Sequence, residues 1–262
     1  MSNQPLFSIV TVVKDDLLGF TQSFASLASQ SWEEFEFIVV DSSEDRTQIP
    51  PALQSSALGE KVKYVWVEAG GIYPAMNTGL ERANGKYSYF LNAGDTFYAP
   101  DTLTRVAEKL NDSNSNWLFG PVVITNQDTN TSTTTPMWNY QDEKKNFFAR
   151  GFFPSHQGTF ASTQTLIDLG GFDPKYSISA DYALFLKLAT VSDPTEVNFP
   201  IADFVTGGVS THNWRDSFTQ FHQARREILK PQGTAALREQ IWTRWHYAKV
   251  WTYRELILRA RR

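Results

Sequence analysis

Apolar positions along the chain fall into two alternating kinds of run. Phe7-Ser8-Ile9-Val10-Thr11-Val12-Val13 and Phe35-Glu36-Phe37-Ile38-Val39-Val40 are near-continuous β-branched and aromatic stretches, as expected of parallel strands buried on both faces. Between them Leu17, Phe20, Phe24, Leu27 and Ala28 recur at helical spacing, so the pattern predicts a helix from Leu17 to Gln30. Residues 62–67 give a third strand. The stretch from Gly71 to Asp95 then reads as loop, helix, turn and strand. Pro74 suits a first helical turn, where its missing N–H is unpaired anyway. Ala75, Met76, Leu80 and Ala83 form the apolar stripe, and Asn84-Gly85 is expected to stop the helix with glycine in a left-handed C′ position. Tyr87 to Leu91 is a short buried strand with Asn92-Ala93-Gly94-Asp95 at its carboxyl end.

Strands alternating with helices in this order predict an α/β fold with a mixed, mainly parallel sheet of Rossmann-like topology, flanked by helices. Ligands of open α/β sheets bind outside the carboxyl ends of the strands. That is where Asp41 and Asp95 stand. Further on, Thr102 to Leu110 reads as a helix, Trp117 to Ile124 as one strand, and the threonine- and asparagine-rich 126–135 as an exposed hairpin tip. A helix from Tyr182 to Thr190 follows Asp181 directly, so that carboxylate sits near a positive helix terminus. The expected organisation is a nucleotide-binding half over 1–100, an acceptor-binding half of the same domain over 101–212, and a helical extension over 213–262.

Composition narrows this picture. The chain of 262 residues has no cysteine, which removes disulfides, thiolate metal sites and a cysteine nucleophile. No stretch approaches the roughly 20 apolar residues of a membrane span, and MSNQPLFSIV lacks a charged n-region followed by a long apolar run. The expectation is a cytoplasmic protein. The net charge of −4 is uneven: seven basic and two acidic residues from Ala235 onward give the tail +5 and leave −9 for the body. An acidic body argues against a nucleic-acid partner. In the tail Trp242, Trp245, Tyr247, Trp251 and Tyr253 alternate with arginines. That mixture suits peripheral contact at the inner face of a membrane, and equally a helix packed on the body or on the second subunit of a homodimer.

The usual phosphate loops are missing. No G-x-G-x-x-G follows the first strand and no G-x-x-x-x-G-K-[ST] occurs, which argues against dinucleotide redox chemistry and P-loop hydrolysis. Carboxylates at strand ends repel phosphate. They serve instead to hold a ribose hydroxyl or a base N–H, or a divalent cation that neutralises a diphosphate.

The initial strand with Thr11, Asp41 after the second strand, and the ordered segments AMNTG, ANGKY, FLNAGD, GGFD and ADY resemble family 2 glycosyltransferases with the GT-A fold over residues 6–212. GIYPAMNTGL is similar to a bacterial subgroup that builds surface polysaccharides. The resemblance implies an inverting, metal-dependent transferase using a nucleotide sugar, most often a UDP-sugar, with a saccharide or lipid-linked saccharide as acceptor. Residue by residue it implies donor contacts from Thr11, Val13, Asp41, Asn77, Asn92 and Gly94, Mn²⁺ or Mg²⁺ at Asp95, and Asp181 as the base that deprotonates the acceptor hydroxyl. His156, Phe153 and Tyr182 are candidate acceptor contacts. His212 is a candidate second metal ligand, since imidazole with carboxylate suits Mn²⁺.

The chain also departs from the family. Its acidic motif carries one carboxylate, and Ala69-Gly70 and Pro74 stand where relatives have acids. A non-catalytic relative that binds a sugar nucleotide or a glycan is therefore the alternative. A nucleotidyltransferase fits less well, because KDDLLG is not a glycine-rich basic loop.

Overall fold

Alternate residues of the first two strands enter opposite sides of the sheet, which fixes the layering. In chain order the elements are β1 (Phe7–Val13), α1 (Leu17–Ala28), β2 (Phe35–Asp41), α2 (Ile49–Gln54), β3 (Val62–Trp66), α3 (Ile72–Leu80), β4 (Tyr87–Phe90), β5 (Thr96–Phe97), α4 (Thr102–Ser113), β6 (Trp117–Phe119), β7 (Val122–Asn126), β8 (Thr131–Thr134), α5 (Tyr140–Glu143), β9 (Thr159–Ser162), α6 (Thr163–Asp168), α7 (Ala180–Val191), β10 (Thr195–Glu196), β11 (Ala202–Val205), α8 (Trp214–Leu229) and α9 (Gly233–Trp251). The computed structural model describes residues 4–54, 58–126, 131–143, 148, 153–205 and 213–252.

The main sheet runs β10-β6-β9-β4-β1-β2-β3. β1 pairs in parallel with both β2 and β4, and β2 with β3, whereas β9 is antiparallel to β4 and β6. Val10, Val12, Ile38 and Val40 pack with α3, α6 and α7 on one face. Phe7, Ile9, Val13, Phe37 and Val39 pack with α1 and α4 on the other. This is the mainly parallel α/β architecture that the hydrophobic pattern predicts. All seven residues of β1 and of β2 are buried, so these strands carry apolar side chains on both faces.

Three local expectations change. The run from Trp117 to Ile124 is two strands, because Gly120-Pro121 interrupts it: proline cannot donate to a ladder, and the chain leaves the main sheet there. β7 joins a second sheet of order β5-β11-β7-β8. Residues 131–134, expected in a turn, form the exposed strand β8 paired antiparallel to β7. The α3 helix ends at Leu80 rather than at Asn84-Gly85. Gly85 lies outside the positive-φ glycines and is demanded by a close approach instead: a Cβ there would lie 2.5 Å from the Ser8 nitrogen.

Among the described residues no helix is long and apolar enough to cross a membrane.

Candidate active site

The carboxyl ends of β1, β2 and β4 collect the acidic residues. Asp41, the last residue of β2, is fully buried. Its Oδ1 accepts the Ser43 N–H at 2.8 Å and its Oδ2 accepts the Tyr64 hydroxyl at 2.8 Å. The first bond closes an Asx turn. Burial and the neighbouring Asp41 charge push the Tyr64 phenol up to about 12. The Arg46 guanidinium lies 3.3 Å from the Trp66 ring centroid, and Trp66 Nε1 donates to the Ser43 carbonyl at 3.0 Å. Motif reading missed Tyr64, Trp66 and Arg46. The period-two alternation of Val62-Lys63-Tyr64-Val65-Trp66, which puts Tyr64 and Trp66 on one face, is the signal that could have found two of them.

Thr11 is fully buried and donates to the Leu91 carbonyl at 2.6 Å, so its side chain ties β1 to the end of β4. Val13 lies opposite Asp41 in register, and its carbonyl accepts the Ser42 N–H at 2.8 Å.

The turn from Asn92 to Asp95 is held against α1 by Ser23, whose hydroxyl donates to the Asn92 carbonyl at 2.9 Å and accepts the Gly94 N–H at 3.0 Å. Gly94 has φ +93°, a backbone state that favours glycine. Asp95 is 8% exposed. Burial pushes its carboxyl up to about 6, although His156, Gln157 and the Asn92 backbone pull the other way. The Asn92 Oδ1 is buried without a hydrogen-bond partner.

From this turn a chain of polar contacts leads to Asp181. Asn92 Nδ2 lies 3.0 Å from His156 Nε2, and His156 Nδ1 lies 3.5 Å from Asp181 Oδ2. With the amide donating, a neutral imidazole carries its proton on Nδ1, facing the carboxylate. The Tyr73 hydroxyl lies 3.0 Å from Asp181 Oδ1 and 2.9 Å from the Ile178 carbonyl. Asp181 is the second residue of α7. Burial raises its carboxyl, but His156, the Tyr182 backbone and Tyr73 outweigh this and hold it below its ordinary value. It is ionised at neutral pH, the state from which a base accepts a proton.

Support comes from behind. Gln220 on α8 accepts the Ile178 N–H at 3.0 Å and the Ser179 N–H at 3.1 Å with one side-chain oxygen, fixing the loop that enters α7.

Other expected residues lie apart from this chain of contacts. The Asn77 amide donates to the Phe172 carbonyl at 2.7 Å and accepts the Phe172 N–H at 2.8 Å, a two-way staple between α3 and the GGFD segment. Tyr182 is fully buried; its hydroxyl donates to the Phe148 carbonyl and accepts from Arg225, both at 3.2 Å. Successive helix residues point about 100° apart, so with Asp181 aimed at the turn, Tyr182 aims at α8. The partly exposed Phe153 ring sits 5.0 Å from both Tyr182 and Phe221, at the edge of the same cluster. His212 lies outside the described residues.

Among the described residues no three His, Cys, Asp or Glu side chains form a metal cage. The Asp95 carboxylate and the unpartnered Asn92 Oδ1 are hard donors. They fit a cation whose remaining positions are filled by substrate phosphates and water, the usual arrangement for Mg²⁺.

The family model described as glycosyl transferase family 2 matches residues 8–167. An uncharacterized glycosyltransferase of Mycobacterium tuberculosis is 26% identical over 230 residues, covering 86% of this chain and 84% of its own. A PGL/p-HBAD biosynthesis glycosyltransferase of Mycobacterium bovis is 28% identical over 180 residues, covering 68% and 67%. The fold is shared with S. aureus TarS 1-349 in complex with UDP-GlcNAc, at TM-score 0.65 and 17% identity over 90% of this chain and 70% of that one. It is also shared with mannosyltransferase PcManGT from Pyrobaculum calidifontis in complex with GDP-Man and Mn²⁺, at TM-score 0.61 and 17% identity over 95% and 70%. This chain spans 42% of the longer TarS structure.

Proposed function

Since this chain belongs to glycosyl transferase family 2, we propose that it transfers a sugar from a UDP-sugar to a hydroxyl of a saccharide or lipid-linked saccharide, with inversion at the anomeric carbon. The observation that carries this reading is the setting of Asp181, an ionised carboxylate between Tyr73 and His156, one imidazole away from the Asn92–Asp95 turn. A protein that only binds a sugar nucleotide has no use for a base in that place.

In the proposed reaction the acceptor oxygen bonds to the anomeric carbon while its proton passes to Asp181. The bond from that carbon to the diphosphate oxygen breaks, and its electron pair leaves with the nucleoside diphosphate. Asp41, Tyr64 and the Arg46–Trp66 stack form the nucleoside end of the donor site, with the Val13 backbone beside them. Asn92 and Gly94 stand at the diphosphate. Mn²⁺ or Mg²⁺ held by Asp95 and Asn92 Oδ1 would supply neutralisation of the departing charge. His156 is at once the neighbour of the base and of this turn.

The UDP-GlcNAc bound to TarS and the GDP-Man with Mn²⁺ bound to PcManGT support the nucleotide-sugar class. The relative named for PGL/p-HBAD biosynthesis supports a role in glycan assembly.

Calorimetric titration of UDP and GDP, each with and without Mn²⁺, on wild type and Asp95→Ala tests the donor half. Manganese-dependent UDP binding that the variant loses supports the reading. Tight GDP binding changes the donor class, and no binding of either nucleotide moves the protein to the non-catalytic alternative.

A further inference from the structure

The last described helix, α9, is held by one side and exposed on the other. On its inner side Glu239 is buried and accepts from Arg225 Nε at 3.0 Å and from the Thr243 hydroxyl at 2.8 Å, with His222 Nδ1 also at 2.8 Å. Arg225 Nη2 donates to Thr243 at 2.7 Å. These contacts fix the rotation of α9 about its axis. Its outer side then presents Leu237 and Ile241, each 58% exposed, Trp245 at 51% and Trp251 at 41%. At about 100° per residue these four positions fall within one third of the helix circumference.

Arg238, Arg244 and Lys249 are exposed on and beside this stripe. Glu239 is the sole carboxylate of α9, and it faces inward. The exposed side thus combines four large apolar groups with three cations and no anion. A second copy of the chain would bring three cations against three, a repulsive arrangement. An anionic surface neutralises them, and tryptophan and arginine are the residues that settle at the boundary between headgroups and acyl chains.

We propose that α9 is a membrane-docking helix that lies in the headgroup region of an anionic bilayer, with Leu237, Ile241, Trp245 and Trp251 directed toward the acyl chains. The inference is independent of the reaction assigned above. It has a geometric consequence for it, because Arg225 joins α9 to Tyr182, the neighbour of Asp181. Docking would therefore hold the candidate site at a fixed height over the bilayer, within reach of an acceptor carried by a lipid.

The test is co-sedimentation of the full chain with phosphatidylcholine vesicles, with and without phosphatidylglycerol, at low and high salt. The expected result is binding to the anionic vesicles that falls as salt rises. Ile241→Glu/Trp245→Glu should weaken it by roughly tenfold or more, and Arg238→Gln/Arg244→Gln/Lys249→Gln should weaken it on anionic vesicles only. All substituted positions are exposed, and circular dichroism with nucleotide binding verifies that both variants are folded. Absence of binding to anionic vesicles at low salt overturns the proposal. So does a concentration-dependent dimer, seen by sedimentation, that Trp245→Glu dissolves without any vesicle binding, since the stripe then covers a second copy.

Discussion

His156 stands between Asn92 and Asp181, with Nε2 3.0 Å from the amide nitrogen of one and Nδ1 3.5 Å from a carboxylate oxygen of the other. The imidazole therefore sets the orientation of the candidate base from the same turn that carries Asp95. Replacing it with alanine leaves Asp181 with Tyr73 and the Tyr182 backbone and opens room for water beside it. His156→Ala is expected to lower kcat by roughly 10- to 100-fold while the Kd for UDP changes by less than about threefold. Steady-state transfer kinetics beside calorimetry check the split. An equal loss in both places His156 on the donor instead.

Removal of the carboxylate itself should be far more severe. Asp181→Asn keeps the shape and the bond to Tyr73 but cannot take a proton. A positioned general base contributes about 10²–10⁴-fold, so transfer should fall by that much with nucleotide binding intact. Tyr73→Phe removes one hydrogen bond to a charged acceptor, worth about 1.5–3 kcal/mol, and should cost roughly 10- to 100-fold in the same assay. Asp181→Asn retaining wild-type turnover would remove Asp181 from the base role.

Glu36 governs the acid limit of the fold. It is the second residue of β2, with a buried carboxylate that accepts from the Ser8 hydroxyl at 2.6 Å, the Asn84 N–H at 2.5 Å and the Gly85 N–H at 3.1 Å, and pairs with Lys63 at 2.5 Å. Burial raises its carboxyl, but Lys63, Ser8 and Asn84 together hold it below the usual 4.5. A depressed carboxyl stabilises the native chain above its unfolded pKa, and that contribution is lost as pH falls through the folded value. Glu36→Gln should therefore cost about 2–4 kcal/mol at neutral pH, with the gap to wild type closing below about pH 4.5. Thermal unfolding of both proteins across that range measures it. A constant gap would mean that the charge contributes nothing.

The strands were legible because burial on both faces writes long apolar runs, as in β1 and β2. Asp95 and Asp181 stand out as candidates because each sits in a short ordered motif. What stayed hidden was pairing across the fold. Tyr73 lies 108 positions from Asp181, and Asn92 lies 64 from His156, so nothing local marks either contact. The same gap explains where the structure departs from a local reading. Tyr182 follows a candidate base in sequence and yet points to α8, since a helix turns each side chain away from its predecessor. Gly85 was placed by turn chemistry, while its real constraint is the backbone of β1 arriving from elsewhere.

Asn77 gives a clean case of a motif residue with a structural role. Both ends of its amide bond the Phe172 backbone, so AMNTG and GGFD act as two halves of one joint. Asn77→Ala leaves a partly buried N–H and C=O without partners, at about 1–3 kcal/mol each. A fall in Tm of several degrees is expected, with the UDP Kd unchanged once the protein is folded. A weakened Kd with an unchanged Tm would restore Asn77 to the donor site.

The ion pair between α8 and α9 should behave as buried pairs do. Arg225 and Glu239 are both nearly inaccessible. Burial raises the Glu239 carboxyl, but His222, Thr243 and Arg225 outweigh it and hold it below its ordinary value. Removing one partner strands the other charge, which typically costs about 3–5 kcal/mol. Arg225→Met and Glu239→Leu should each be destabilising by that order. The double variant should recover most of the loss, because two apolar groups carry no desolvation penalty. A double-mutant cycle by denaturant unfolding reads the coupling directly. Since Arg225 also donates to Tyr182, the Arg225→Met single variant should in addition slow transfer by disturbing the start of α7. If the two losses simply add, the pair is uncoupled and α9 is held by its apolar contacts alone.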